Sequence, residues 1–242
     1  MPKRRFLKKT AGQPNLIQVF SARQSGNLKV KEVINANKNL DHFLSGLGIE
    51  KTNLVMMKQI HGNKIKVATR EDGGKVIKNA DGLVTQSKKL FLGVNTADCL
   101  PISFCDPQKK IVGIAHAGWR GILLRIAPKV VKSMEKLGAD PGKMFVCIGP
   151  HIGSCCYLVG NDLVKKFQKE FGNLPKMVHQ DKNGTYLSLT TPVSAQLIKS
   201  GIKKENIEIS PDCTSCQNGQ FFSFRKDSRK TYGEMLGVIG WN

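Results

Sequence analysis

The feature that most limits the fold is the density of short apolar runs between residues 54 and 117. "LVMMKQIHG", "KIKVAT", "DGLVT", "LFLGVNT", "PISFCD" and "IVGIAHA" follow one another with little but Gly, Asp, Asn and Pro punctuation between them. Runs of this length, rich in Val, Ile and Phe, predict buried strands. Strands packed so closely along the chain must pair into sheets, and the sheet faces must be covered. Cover is predicted on both sides of this stretch. Apolar residues at helical spacing occur in "ANKNLDHFLSGLGI", from Trp119 to Lys136, in "DLVKKFQKEF" and in "PVSAQLIKSG", with Pro128 expected to bend or break the second of these. "LIQVFSA", "MFVCIGP", "TYLSL" and "NIEIS" read as further strands. The expected class is α/β, a single domain of mixed sheet with interspersed helices and no internal repeat.

At 242 residues and 40% hydrophobic content, the chain is long enough to bury one large core. Residues 1–13, with Lys3, Arg4, Arg5, Lys8 and Lys9, read as a flexible basic N-terminus. No apolar h-region follows Phe6 and Leu7, and no stretch approaches membrane-spanning length, so a soluble, cytoplasmic protein with no membrane partner is expected. A net charge of +20 eases the approach of phosphate-bearing molecules. The lysines are spread along the chain, and aromatic residues do not interleave with them, so no dedicated nucleic-acid surface is expected. Seven cysteines point to reduced thiols or metal ligands rather than a disulfide framework.

Three metal-ligating residue types fall where strands are predicted to end. His61 closes "LVMMKQIH", Cys99 lies in "NTADCLP", and His116 closes "IVGIAH". Two imidazoles and a thiolate suit zinc with a fourth position left open, and copper accepts the same donors. Around His116, Gly118 and Gly121 permit close backbone approach, Trp119 offers a packing face, and Arg120 can grip phosphate or carboxylate through two parallel hydrogen bonds. Asp98 is placed to orient a histidine or to move a proton. The same residues admit a cysteine hydrolase, with Cys99 as nucleophile and His61 or His116 as base. A non-catalytic module that holds anions by charge is a third class. Multicopper oxidase chemistry fits poorly, because a multinuclear copper cluster needs many imidazoles and the chain has five. Of these, His42 is expected to face solvent, His179 to lie in a polar loop, and His151 to sit in a turn near the substrate. Cys213 and Cys216 form a C-x-x-C without a visible second pair; Cys155 and Cys156 adjoin a glycine-rich turn; Cys105 and Cys147 read as core.

Taken together, "KQIHGNKI", "ADGLVT", "NTADCLPISF", "GIAHAGWRG", "IGPHIGSCCYLVG" and "FFSFRKD" resemble the YfiH-like family, also called the laccase-domain or peptidoglycan-editing-factor family. The resemblance implies a layered α/β sandwich of the YfiH-like type over residues 1–242. It also implies one zinc site whose ligands fall on His61, Cys99 and His116. The activity it implies is purine nucleoside chemistry: phosphorolysis of adenosine, inosine and methylthioadenosine, with adenosine deamination also ascribed to such proteins. On that reading the partners are a purine nucleoside and phosphate. Asp98, Cys99 and Arg120 are then the catalytic set, and Arg120, Arg225 and Lys226 position phosphate. Older family names imply peptidoglycan-precursor editing or laccase-like polyphenol oxidation. The family's "FSYRRDG…TGRM" ending appears here as "FSFRKDSRKTYGEM", which puts Lys226 and Glu234 where arginines are usual. Lys keeps the charge and loses the planar fork. "FSARQSGN" is a loose version of the family's "FSTRxGGVS".

Overall fold

The computed structural model describes residues 13, 15–30, 32–34 and 37–242. The basic segment expected over residues 1–13 lies, apart from residue 13, outside the described residues. The strands are β1 (Leu16–Phe20), β2 (Leu54–Lys58), β3 (Ile65–Val67), β4 (Val76–Lys78), β5 (Gly82–Thr85), β6 (Phe91–Thr96), β7 (Leu100–Asp106), β8 (Ile111–Ala117), β9 (Phe145–Ile148), β10 (Val178–Asp181), β11 (Gly184–Leu187), β12 (Ile207–Ile209) and β13 (Met235–Trp241). The helices are α1 (Lys38–Ser45), α2 (Trp119–Leu123), α3 (Ile126–Glu135), α4 (Asn161–Phe171) and α5 (Thr190–Lys199).

The strands form a five-stranded sheet in the order β1-β13-β6-β2-β4, a six-stranded sheet in the order β12-β9-β7-β8-β5-β3, and a β10-β11 hairpin. Side chains alternate between the faces of each strand, so each large sheet has two faces to cover. Val55, Met57, Leu92, Val94 and Ile239 of the first sheet bury against Leu83, Cys105, Val112 and Ile114 of the second. On the far side of the first sheet, Leu54, Met56, Phe91 and Val238 pack with Leu40, Phe43 and Leu44 of α1. On the far side of the second, Leu100, Ile102, Phe104 and Ala115 meet α2, α3, α4 and α5. The result is the expected mixed α/β layered sandwich: a helix layer, two sheets face to face, and a second helix layer.

Three crossings between the sheets set the functional end. In the first sheet β2 runs parallel to both β4 and β6, so all three strands finish at the same end. Each then passes to the second sheet, β2 to β3, β4 to β5 and β6 to β7. The loops at residues 59–64, 79–81 and 97–99 are therefore brought side by side. β8 runs antiparallel to β5 and β7, so its last residues arrive at that same end.

Local outcomes differ from the sequence reading in four places. The long helix expected from Trp119 is two helices, and the break falls at Arg125, in the left-handed region with φ 60°. Pro128 sits in the first turn of α3, where a missing N–H costs no helical bond. β4 and β13 were not among the expected strands. β4 is three residues long, while β13 is buried on both faces and so shows no alternation. His179, expected in a loop, lies on β10 with its ring 5.9 Å from that of Tyr186 on β11.

The helix layer over the second sheet depends on glycine at one crossing. α3 presents Val130 and Met134 to β8 and β5, and a methyl group at Gly113 would lie 2.9 Å from Val130 Cγ1 and 3.0 Å from Met134 Sδ. Gly113→Ala is therefore expected to lift α3 from the sheet and to destabilise the fold by about 1–3 kcal/mol, as overpacked cores do. Urea unfolding followed by far-UV circular dichroism measures the loss.

Candidate metal and active site

His61 lies in the β2–β3 crossing, Cys99 in the β6–β7 crossing, and His116 near the end of β8 on the face shared with Val112 and Ile114. One ligand atom from each comes within 4.8 Å of the others. The two imidazole rings stand edge to face, 4.7 Å between centroids. His116 is buried, Cys99 half-buried and His61 exposed, so the group opens to solvent on the His61 side. A Cβ on Gly118 would lie 3.1 Å from Cys99 Sγ and 3.3 Å from His61 Cδ2. Glycine there leaves the room in which these donors meet. Gly121 serves a different close approach, since a Cβ there would lie 2.9 Å from the Gly62 carbonyl oxygen.

The residue that builds this arrangement is Asp81, in the β4–β5 crossing. Its fully buried carboxylate accepts from the backbone N–H groups of Ile60 (3.2 Å), His61 (2.9 Å) and Gly62 (2.8 Å). Its Oδ1 also faces His116 Nδ1 at 3.0 Å. Three converging amides hold the 60–62 turn in place with His61 at φ 57°, a backbone state that costs an L-residue roughly 1–2 kcal/mol. The bond to Nδ1 fixes the ring of His116 and leaves Nε2 for a ligand, the usual pairing of a carboxylate behind a metal-binding histidine. The histidine-orienting role expected of Asp98 is thus filled by Asp81. The only sequence signal for Asp81 is its place in a turn between two apolar runs.

The electrostatics favour a cation among these groups. Burial alone raises the Cys99 thiol, but hydrogen bonds to His116 and His61 outweigh it and bring the group down to about 7. For His116, burial opposes protonation, yet Asp81 and then Cys99 carry it up to about 9. Burial also pushes against ionisation of Asp81, and the bonds from His116 and Gly62 hold its carboxyl below the usual range. A carboxylate and a low thiol on either side of an imidazole stabilise positive charge between them, whether a proton or a metal ion supplies it. The donor set, two nitrogens and one sulfur, fits zinc with one position open.

Asp98 occupies a strained position, φ 89°, immediately before Cys99. Its Oδ1 accepts from Thr214 Oγ1 at 2.6 Å and its Oδ2 from the Arg225 backbone N–H at 2.8 Å, while its carbonyl accepts from Ile152 N–H at 2.9 Å. It therefore ties the 149–160 and 210–234 loops to the Cys99 turn. Arg225 lies over the ring of Tyr157, 4.9 Å from its centroid, and bonds the Leu158 carbonyl. Arg120 is exposed, with its guanidinium 4.3 Å from the Trp119 ring centroid. Tyr157 is buried, which pushes its phenol up, and it feels the charges of Arg225, Cys99, Asp98 and Arg120. The Arg225 backbone is thereby held beside the Cys99 turn through Asp98. Lys226 follows Arg225 in the same turn and is exposed. On the His61 side a cleft of about 630 Å³ is lined by Lys29, Gln59, His61, Asn95 and Glu234 among others. Neither this cleft nor Asp81 was singled out from the sequence. His42 is exposed on α1, and His151 is buried with Nδ1 2.8 Å from the Gly149 carbonyl oxygen.

Comparison with known proteins places this geometry in a family. The profile described as multi-copper polyphenol oxidoreductase laccase matches residues 24–242. Purine nucleoside phosphorylase YlmD of Bacillus subtilis is 32% identical over 212 residues, covering 84% of this chain and 76% of the relative. Adenosine deaminase RL5, from an unknown prokaryotic organism, is 34% identical over 189 residues, covering 74% of this chain and 72% of the relative. The crystal structure of Bacillus licheniformis hypothetical protein YfiH superposes with a TM-score of 0.85 at 30% identity, covering all of this chain and 97% of that one. With the match spanning nearly the whole sequence and the same fold in a solved relative, the chain belongs to the laccase-domain family.

Proposed function

We propose that the chain is a zinc-dependent purine nucleoside phosphorylase acting on adenosine, inosine and methylthioadenosine, with adenosine deamination as a second activity at the same site. The observation that carries this reading is the meeting of His61, Cys99 and His116, with His61 on the wall of a cleft of about 630 Å³. Names carried by relatives, a purine nucleoside phosphorylase and an adenosine deaminase, support the substrate class. Among the described residues no helix is long and apolar enough to cross a membrane. All seven cysteines are free thiols, which accords with a cytoplasmic location.

In phosphorolysis a phosphate oxygen bonds to C1′ as the bond from C1′ to the purine nitrogen breaks, and the base leaves with the electron pair and takes up a proton. The protein's tasks are to hold the anion, to place it in line with C1′, and to keep the base fixed as it departs. Arg120 and Arg225 hold the phosphate. Contact with the Trp119 and Tyr157 rings restrains their heads, and Arg225 keeps N–H groups for an anion beyond the one that bonds the Leu158 carbonyl. Lys226 adds charge without a fork. The cleft beside His61 takes the nucleoside, with Glu234 and Lys29 on its wall. His61, Cys99 and His116 hold the metal, which when bound supplies Lewis acidity toward the purine or a water of lowered pKa for deamination. Asp98 acts as a positioning residue, since both its oxygens are engaged in fixing the Arg225 backbone and Thr214. Asp81 positions His61 and His116.

One rival rests on a specific contact. The Cys99 sulfur lies within 4.8 Å of a ring nitrogen of each imidazole and would satisfy the nucleophile-plus-base requirement of a hydrolase, including one that edits peptidoglycan precursors. A nucleophile needs one base, and here two imidazoles turn to one sulfur with Gly118 clearing space for an ion. A thiolate tied to metal resists alkylation until a chelator is added, whereas a free nucleophile reacts at once. Laccase chemistry finds less support, because His42, His151 and His179 stand apart from the ligand group and no second histidine cluster forms among the described residues.

Four measurements test the proposal. Purified protein incubated with each nucleoside is expected to release free base only when phosphate is present, and to convert adenosine to inosine without it. Chelation should abolish both reactions and zinc should restore them; undiminished rates after verified metal removal would refute the metal's participation. Arg120→Ala is expected to raise the KM for phosphate by about tenfold or more with little change in the KM for nucleoside, as loss of charge-assisted hydrogen bonds implies. Asp81→Asn is expected to weaken zinc binding by about 10–100-fold, read by competition with a chelating dye, because the amide NH2 that replaces one oxygen cannot accept and would face either the Ile60 and Gly62 N–H groups or the His61 N–H and His116 Nδ1.

A further inference from the structure

The four cysteines other than Cys99, Cys105 and Cys147 lie together. Cys155 and Cys156 come from the loop after β9, Cys213 and Cys216 from the loop after β12, and their sulfurs all fall within 4.8 Å of one another. The C-x-x-C that had no visible partner in the sequence is therefore completed by the adjacent pair some sixty residues earlier. Cys216 Sγ is 3.4 Å from Cys155 Sγ and 3.3 Å from Cys156 Sγ. A sulfur nearly equidistant from two others suits a shared ligand and singles out no disulfide partner, and all four are free thiols.

We propose that Cys155, Cys156, Cys213 and Cys216 bind a second zinc ion, in a closed tetrathiolate site that is structural rather than catalytic. Zinc–sulfur bonds of about 2.3 Å in a tetrahedron set sulfurs about 3.8 Å apart, which is the spacing scale found here. Four soft donors select zinc over hard cations, and they leave no open position for water or substrate. The backbone is shaped for thiolates. The Gly153 N–H points at Cys213 Sγ at 3.2 Å and the Cys216 N–H at 3.5 Å. A Cβ on Gly153 would lie 3.0 Å from Cys155 Sγ and 3.5 Å from Cys213 Sγ, so a side chain there would crowd the sulfurs. A short bridge between His151 and Cys213, with Thr214 N–H donating to the His151 carbonyl, keeps the two loops in register beneath the cluster.

The ion would add a clamp to two loops already joined by the His151–Cys213 bridge and by Arg225 on Tyr157 and the Leu158 carbonyl. One carries Tyr157; the other carries Thr214 and Arg225, which engage Asp98. The site is independent of the reaction assigned to the His61–Cys99–His116 group, and its test does not read activity.

Metal content of the full chain, purified without added metal and counted by elemental mass spectrometry, separates the two sites. The expected result is about two zinc ions per chain, falling to about one in His61→Ala/His116→Ala and to about one in Cys213→Ser/Cys216→Ser. Should the cysteine variant fail to fold, cobalt(II) loaded into the histidine variant, whose four cysteines are intact, decides: a tetrahedral tetrathiolate spectrum with intense sulfur-to-cobalt charge transfer is expected. About one ion in the parent and none in the histidine variant, or recovery of Cys216 in a disulfide with Cys155 or Cys156 from protein unfolded under thiol-trapping conditions, would overturn the proposal. Loss of nucleoside turnover with both metal equivalents present would count against the catalytic reading alone.

Discussion

Everything at the functional end depends on three parallel strands of one sheet crossing to the other sheet at the same end. β2, β4 and β6 end together because parallel neighbours share a direction. Their crossings deliver His61, Asp81 and Cys99, and β8 brings His116 from the opposing sheet. No single element could do this. A helix or strand presents donors at its own fixed spacing, whereas four separate backbones can aim four side chains at one point. The price is backbone strain in the crossings, visible at His61, Asn79 and Asp98 with φ 57°, 55° and 89°. The buried faces of the two sheets hold those turns where isolated loops would relax.

Asp81 converts that geometry into chemistry. A fully buried carboxylate without partners would be neutral, since desolvation penalises its charge. Here three backbone N–H groups and one imidazole supply enough compensation to keep it ionised. The retained charge then acts outward through His116 toward the open position. Cys99 faces the same ring from the other side, so the region is biased toward a cation before any ligand arrives. Arg120, Arg225 and Lys226 are exposed, and on the reading proposed here their charge draws in phosphate.

Much of this was legible in the sequence, and the exceptions share a cause. Apolar runs bounded by turn residues gave the strand-rich middle, and the strand ends gave His61, Cys99 and His116 as one ligand group. Asp81 escaped notice because its partners are backbone amides about twenty residues earlier and a ring thirty-five residues later, and neither leaves a mark in the sequence. The carboxylate beside the cysteine, Asp98, drew attention through adjacency alone, while the fold turns it toward Thr214 and Arg225. The Cys155–Cys156 pair went unread as a complement to Cys213-x-x-Cys216 for the same reason: tertiary contact, not spacing, joins them. β13 was missed because Gly237 and Gly240, which admit the rings of Phe20 and Phe91, interrupt an apolar run that already lacked alternation. The helix break was placed at Pro128 because proline is the visible breaker, although position within the first turn makes it harmless and Arg125 makes the turn.

Of the departures from the family's terminal pattern, Glu234 falls on the wall of the cleft beside His61, while His61, Cys99 and His116 keep the residue types that the resemblance implies. Glu234 stands where the resemblance leads one to expect an arginine, and it lines the cleft beside His61. A bare carboxylate there would repel an incoming phosphate. Lys29 Nζ lies 2.7 Å from Glu234 Oε1, however, and the Tyr232 hydroxyl donates to the same oxygen. The pair is close to neutral, so this wall neither attracts nor expels an anion strongly. On the reading proposed here, holding phosphate falls to Arg120 and Arg225, each set against an aromatic ring, and the cleft beside His61 is left to the neutral nucleoside.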